Sequence, residues 1–289
     1  MSAPSIAAPT DAAHEQRAGD LILQYMGHHV DALNGALARA QRNEAGSVGH
    51  TRESIRRVRT ATEGYGHLFK DMPDSEAQMH QLLESLRRAH HLESLQEYFV
   101  DRFDQLGLFE PEYPSWFYRL QQQGIATYQE AQRMATQTWV AAMLARIRIY
   151  TQAAELTREG SQPAATLAAI LTAARERLVD SYRRLSDASD VDMARDQTRK
   201  VARRARYLAE ATQPTLGWAA RDIIIPASQM QHLLAQYRNA IAARHWLLRL
   251  PGADRADSFT ASLARMERDH QGQLTEEIDQ VAQNIFSKW

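Results

Sequence analysis

Residues 49–59, GHTRESIRRVR, carry Arg52, Arg56, Arg57 and Arg59 against a single acid, Glu53. A solvated helix face usually alternates its charges, so that each guanidinium meets a carboxylate about one turn away. This stretch does not. A second stretch, TRKVARRARYLAEA at 198–211, carries Arg199, Lys200, Arg203, Arg204 and Arg206 beside Tyr207. Arginine suits phosphate oxygens because its planar fork donates two parallel hydrogen bonds and never loses its charge. The chemistry these residues point to is the holding of an anion, with no bond made or broken.

The two stretches repeat one pattern. Gly49, Arg52, Arg56, Arg57, Arg59 and Glu63 recur at one constant offset as Asp196, Arg199, Arg203, Arg204, Arg206 and Glu210. On a helix turning about 100° per residue, positions 49, 52, 56 and 59 fall within an arc of about 80°. Ile55, Val58, Tyr65 and Phe69 take the other side, as do Val201, Ala202, Ala205 and Leu208 in the second copy. Each helix is expected to bury one face and present an arginine stripe on the other, open to an anion or else neutralised by Glu63, Glu210 and acids from adjacent helices. Successive turns are about 5.4 Å apart, so neighbouring arginines can engage neighbouring phosphates of a flexible chain. Arg175, Arg177, Arg183 and Arg184, on the preceding helix, would widen the patch.

The elements that must position these stripes are helices. After residue 14 the chain is rich in Ala, Leu, Arg, Gln and Glu with helical periodicity, and no stretch alternates like a strand. Breaks fall at RNEAGSVG, DMPDSEAQ, GLFEPEYPSW, REGSQPAA, SDASDVD, TQPTLG and LPGADRADS, which predicts about eight helices. Pro226, inside RDIIIPASQ, predicts a further kink or break. The organisation expected is a disordered leader at 1–13, an N-terminal helical half at 14–159 and a C-terminal half at 160–289. With 289 residues, 44% of them hydrophobic, the chain can bury a large core.

The formal net charge is −1 and the pI about 6.8, so no global field draws in polyanions and any anion site must be local. All but three of the 34 basic residues are Arg. The absence of Cys excludes disulfides and thiolate chemistry and agrees with a reducing compartment. MSAPSIAAPTDAA lacks the basic start and apolar run of a signal peptide, and no apolar run approaches a membrane span. A cytoplasmic protein with no membrane association is expected.

TRKVARRARYLAEA resembles the second signature of the CHAD domain, the conserved histidine α-helical domain, whose usual form is H-x-x-R-K-x-x-K-R-x-R-Y-x-x-E. VGHTRESIRRVRTA resembles the first signature, and the likeness extends through LESLRRAHHLESL to MQHLLAQYRNAIAARHWLLRL, over most of residues 17–250. The resemblance implies an all-α fold of two four-helix bundles related by a pseudo-two-fold axis. It also implies a basic surface between them that binds inorganic polyphosphate, at cytoplasmic polyphosphate granules in family members. Gly49 and Asp196 stand where the two signature histidines belong, with His50 one residue late. Asp196 is expected to pair with Arg199 and Arg203 and to compete with phosphate.

No nucleophile–base arrangement, Gly-rich phosphate loop or acidic metal cluster stands out, so neither enzyme activity, cofactor nor metal is expected. The pairs His28–His29 and His90–His91 lack metal-site spacing and read as surface or interface residues. Trp116, Trp139, Trp218 and Trp246 sit in apolar periodicities and read as core. The stripes lack the aromatic interleaving of a single-strand binder and any helix-turn-helix spacing, so nucleic acid fits less well. The polyphosphate tract expected is Arg52, Arg56, Arg57, Arg59, Arg199, Lys200, Arg203, Arg204, Arg206 and Tyr207. The alternative is a protein-interaction or scaffold module that kept the bundles and lost the anion.

Overall fold

The computed structural model describes residues 16–42, 44–185 and 188–286; the expected leader at 1–13 lies outside them. The protein is all-α: 83% helical, with ten α-helices and no strand among the described residues. The helices are α1 (Ala18–Gln41), α2 (Ser47–Tyr65), α3 (Glu76–Ser85), α4 (Arg87–Gln105) and α5 (Ser115–Ala135). They continue as α6 (Thr138–Ala153), α7 (Ala168–Arg183), α8 (Val191–Leu248), α9 (Gly252–Ala256) and α10 (Ser258–Phe286). The count exceeds about eight because Leu86 separates α3 from α4 without any breaker residue, and because α9 is a short extra turn.

The long α8 is the spine of the molecule. Ala205, Leu208 and Ile223 of α8 enter a cluster built with α1, α2, α3 and α6, where Leu21, Ile22, Ile55, Leu82 and Met143 are buried. Further along, Leu234 and Ala240 pack with Leu274 and Ile278 of α10. Its end, at Ala243 and Leu247, joins an aromatic cluster of Phe99, Phe103, Trp116 and Phe117. The apolar periodicity of α8 is therefore spent on three successive neighbours rather than one.

Within α8 the one residue with non-helical dihedrals is Gly217, at φ 48° and ψ −110°. The break read from TQPTLG thus falls at a residue without a Cβ, which tolerates positive φ. Helical dihedrals continue through Pro226, so no break falls where a kink or break is expected. Trp218 follows the interruption and is 72% exposed, with Arg221 lying 5.3 Å from its ring, so it is not core. Trp116 is buried, as its periodicity predicted.

The connection after α6 is tied to the N-terminal helices by backbone hydrogen bonds. Gly160 O accepts from Gly19 N at 2.9 Å, Gln162 O accepts from Ala18 N at 2.8 Å, and Thr157 N donates to Leu68 O at 2.9 Å. Gly160 lies so close to Leu68 that a Cβ would overlap its carbonyl oxygen, and neither backbone can yield without breaking this ladder. Gly160→Ala should therefore destabilise the fold by about 2 kcal/mol or more. Gly272→Ala, in an open position of α10, should be neutral or stabilising by up to about 1 kcal/mol. Urea unfolding of both variants checks the pair; equal stabilities would mean that the connection is not fixed here.

Candidate functional site

Helices α2 and α8 pack side by side through a small contact. Tyr65 Oη donates to the Leu208 carbonyl at 2.8 Å, and the missing Cβ of Gly64 makes room for the Leu208 side chain. This brings two arginine-rich helices together, a repulsion that counter-charge reduces.

Three of the stripe arginines, Arg57, Arg204 and Arg206, pair with carboxylates across the interface. Arg57 Nε donates to Glu210 at 2.8 Å, and Arg204 pairs with Glu63. These two pairs are reciprocal: each residue of one is the repeat counterpart of a residue in the other. Glu53 takes Arg57 at 2.9 Å and Arg206 at 2.6 Å, and Arg59 pairs with Glu63 and Glu76 at 2.8 Å each. Tyr207, 1% exposed, lies between guanidinium groups, with Arg57 at 4.6 Å and Arg206 at 4.9 Å from its ring. Burial, with Glu53 nearby, raises its hydroxyl pKa, so it is an uncharged brace beneath the ion pairs. Burial opposes the charge on Arg57, but Glu210 and Glu53 outweigh it and raise its pKa.

The groove side of the stripes faces a cavity of about 530 Å³. Arg52, Arg56, Arg199, Lys200 and Arg203 line it together with Arg59, Arg87 and Arg238. Only two carboxylates, Glu84 and Asp196, are among its walls. A second, shallower cavity of about 290 Å³ shares Arg56, Arg59, Lys200 and Arg203 with the first and adds Arg204. The two form one basic groove. Arg175, Arg177 and Arg184, with Arg183, line neither part.

Arg56 and Arg203, repeat counterparts of each other, make no ion pair or side-chain hydrogen bond among the described residues. Burial lowers the pKa of each to about 10, helped by neighbouring guanidinium groups: Arg52 for Arg56, and Arg56 for Arg203. Both remain charged at pH 7. Arg52 is 6% exposed and donates to the Leu83 carbonyl in the last turn of α3, an acceptor that the helix end leaves free. Burial likewise lowers its pKa to about 10.

Asp196 sits in this groove and binds Arg199 at 2.6 Å and Lys200 at 2.9 Å, with Arg238 at 3.9 Å. Burial opposes its ionisation, yet Arg199 and Lys200 hold its pKa down to about 2. It does not pair with Arg203 as expected: that residue is two turns away, beyond the reach of a short side chain, whereas Lys200 is one turn away. At Gly49 a Cβ would lie 3.8 Å from the His90 imidazole. His80, His90 and His91 all line the groove, while His50 is exposed and lines neither part. The imidazoles of the groove thus come from α3 and α4.

Arg87, Arg238 and these three histidines were missed in the sequence. None belongs to the repeat that marked the stripes, and only packing converts them into a wall. Among the described residues no group of acids, histidines or cysteines could hold a metal. No helix there is long and apolar enough to cross a membrane.

A family model described as the CHAD domain matches residues 24–248. The chain belongs to the CHAD domain family. This is a family of generally non-catalytic binding domains that is associated with polyphosphate. The chain is similar in fold to PptA from Streptomyces chartreusis, with a TM-score of 0.70 and 18% identity over 94% of this chain and 100% of that one. It is also similar to the CHAD domain from the plant Ricinus communis, with a TM-score of 0.68 and 15% identity over 98% of this chain and 96% of that one. No curated protein matches by sequence.

If the cross-helix pairs hold α2 to α8, Arg57 and Glu210 must be energetically coupled. A double-mutant cycle with Arg57→Met and Glu210→Gln, read by urea unfolding, should give a coupling of about 1–2 kcal/mol. A value near zero would mean that apolar packing alone sets the helix contact.

Proposed function

We propose that this CHAD protein binds inorganic polyphosphate without chemistry, along the groove between α2 and α8, at cytoplasmic polyphosphate granules. The observation that carries the reading is the pair Arg56 and Arg203. Two half-buried, mutually repelling guanidinium groups with no counter-ion among the described residues are poised for an anion from outside the chain. Arg52, Arg199 and Lys200 extend the tract, and Arg59 and Arg204 continue it into the shallower end. Arg57 and Arg206 act indirectly, by holding the two helices together over Tyr207. The reciprocal pairs Arg57–Glu210 and Arg204–Glu63 support a pseudo-two-fold relation between two four-helix bundles, with the groove at its axis.

A second reading, a protein-interaction scaffold, is favoured by one observation: Asp196 already occupies three of the groove's cations. Titration of long-chain polyphosphate, with duplex DNA as competitor, separates the two. Arg56→Ala and Arg203→Ala should each weaken polyphosphate binding about tenfold or more, because charge-assisted hydrogen bonds are lost. Asp196→His should strengthen it by removing a competing carboxylate. Neutralising about five phosphates predicts a log–log salt slope of about −3 to −4. Parental affinity in all three variants would leave the scaffold reading.

Affinity should also depend on pH. Burial, Arg238, His90 and Arg87 lower the pKa of His91, so it is neutral in the empty groove at pH 7. A polyanion favours the imidazolium, so binding takes up a proton and tightens as pH falls through the imidazole range. The gain is about tenfold for each unit by which the pKa rises. The arginines do not titrate in that window, and internal phosphates of a long chain are already ionised. A flat profile would place the ligand away from His91.

A further inference from the structure

A second cavity of about 550 Å³ opens where α4, α5 and the end of α8 meet. Its character differs from that of the groove. Trp116, Ile241, Trp246, Leu250 and Pro251 give it an apolar wall, Arg119, His245 and Arg249 add polar groups, and no carboxylate among the described residues lines it. Arg238 and His91 belong to both cavities, so the apolar wall begins where the cationic groove ends. The size suits a small organic ligand. An apolar chamber joined to a phosphate-binding groove fits a molecule with a flat head and an anionic tail.

The lining says which head. Trp116 Nε1 is already bonded to Thr260 Oγ1 at 3.1 Å and forms a closed floor. A hydrocarbon head would offer Arg119, His245 and Arg249 no partner, whereas a heterocycle offers ring nitrogens or carbonyls as acceptors and a face for a guanidinium. The amide of Gln123, exposed at the rim, can donate and accept at a base edge. Indole also stacks on a base of any sequence.

We propose that this chamber binds the base of a nucleoside oligophosphate, whose phosphates run past Arg238 and His91 into the arginine groove. The assignment rests on the groove being a phosphate site. It adds a ligand class in which the chain is recognised by its organic end.

The test is calorimetry with three short probes, ATP, tripolyphosphate and geranyl diphosphate, at fixed salt without divalent cations. Long-chain polyphosphate, titrated in parallel, reports on the groove alone. ATP carries less charge than tripolyphosphate, so electrostatics alone would make it the weaker ligand. The chamber predicts the reverse, with ATP about tenfold tighter. Trp246→Leu and the cavity-filling Ala242→Phe should each remove that advantage while leaving tripolyphosphate binding and helical circular dichroism unchanged. The proposal is overturned if ATP binds no tighter than tripolyphosphate, if its advantage survives both substitutions, or if geranyl diphosphate gains as much as ATP. Any of these with long-chain polyphosphate still bound leaves the groove reading standing; loss of all binding overturns both.

Discussion

Placing two arginine-rich helices side by side is an electrostatic problem, and its partial solution organises the molecule. Glu53, Glu63 and Glu210 neutralise Arg57, Arg59, Arg204 and Arg206 at the α2–α8 contact. These groups are half-buried, so their pairing is screened less than on an open surface. Adjacent helix positions diverge by about 100°, so the residue before each interfacial arginine cannot reach the same carboxylates. Arg56 precedes Arg57 and Arg203 precedes Arg204. The geometry that satisfies one member of each pair strands the other in the groove.

The stranded charges have a cost that the rest of the fold carries. A base whose pKa falls on folding destabilises the native state wherever it stays protonated, and Arg56 and Arg203 remain protonated at pH 7. The large cores around α8, and the ladder at Gly160, supply the stability against which that cost is set. Groups held in an unfavourable state by their surroundings are candidate functional positions, and under the proposed reading their relief comes with the ligand. Asp196 provides partial relief at one end of the groove, for Arg199 and Lys200, but none for Arg203.

Much of this was legible in the sequence because it is periodic. Helical composition gave the all-α class, and the repeated spacing of arginines identified α2 and α8. Glu63 and Glu210 recurred in that pattern, yet nothing in the spacing said that each would reach across to the other helix. The stripe therefore read as one surface, where packing divides it into a bonded side and a groove side. His90 shows the same limit: it read only as half of a surface or interface pair with His91 until the fold laid it over Gly49. Trp218 looked apolar by period, and the turn at Gly217 swung it outward.

The central claim is that Arg203 is kept for a ligand at the expense of stability, whereas Arg57 is kept for the fold. Methionine preserves much of the apolar stem of arginine and removes its charge. Unfolding free energy and long-chain polyphosphate affinity, measured together for Arg203→Met, test the claim most directly. The account predicts a variant more stable than the parent that binds polyphosphate about tenfold more weakly or worse. A variant that is less stable and binds as tightly as the parent would contradict it.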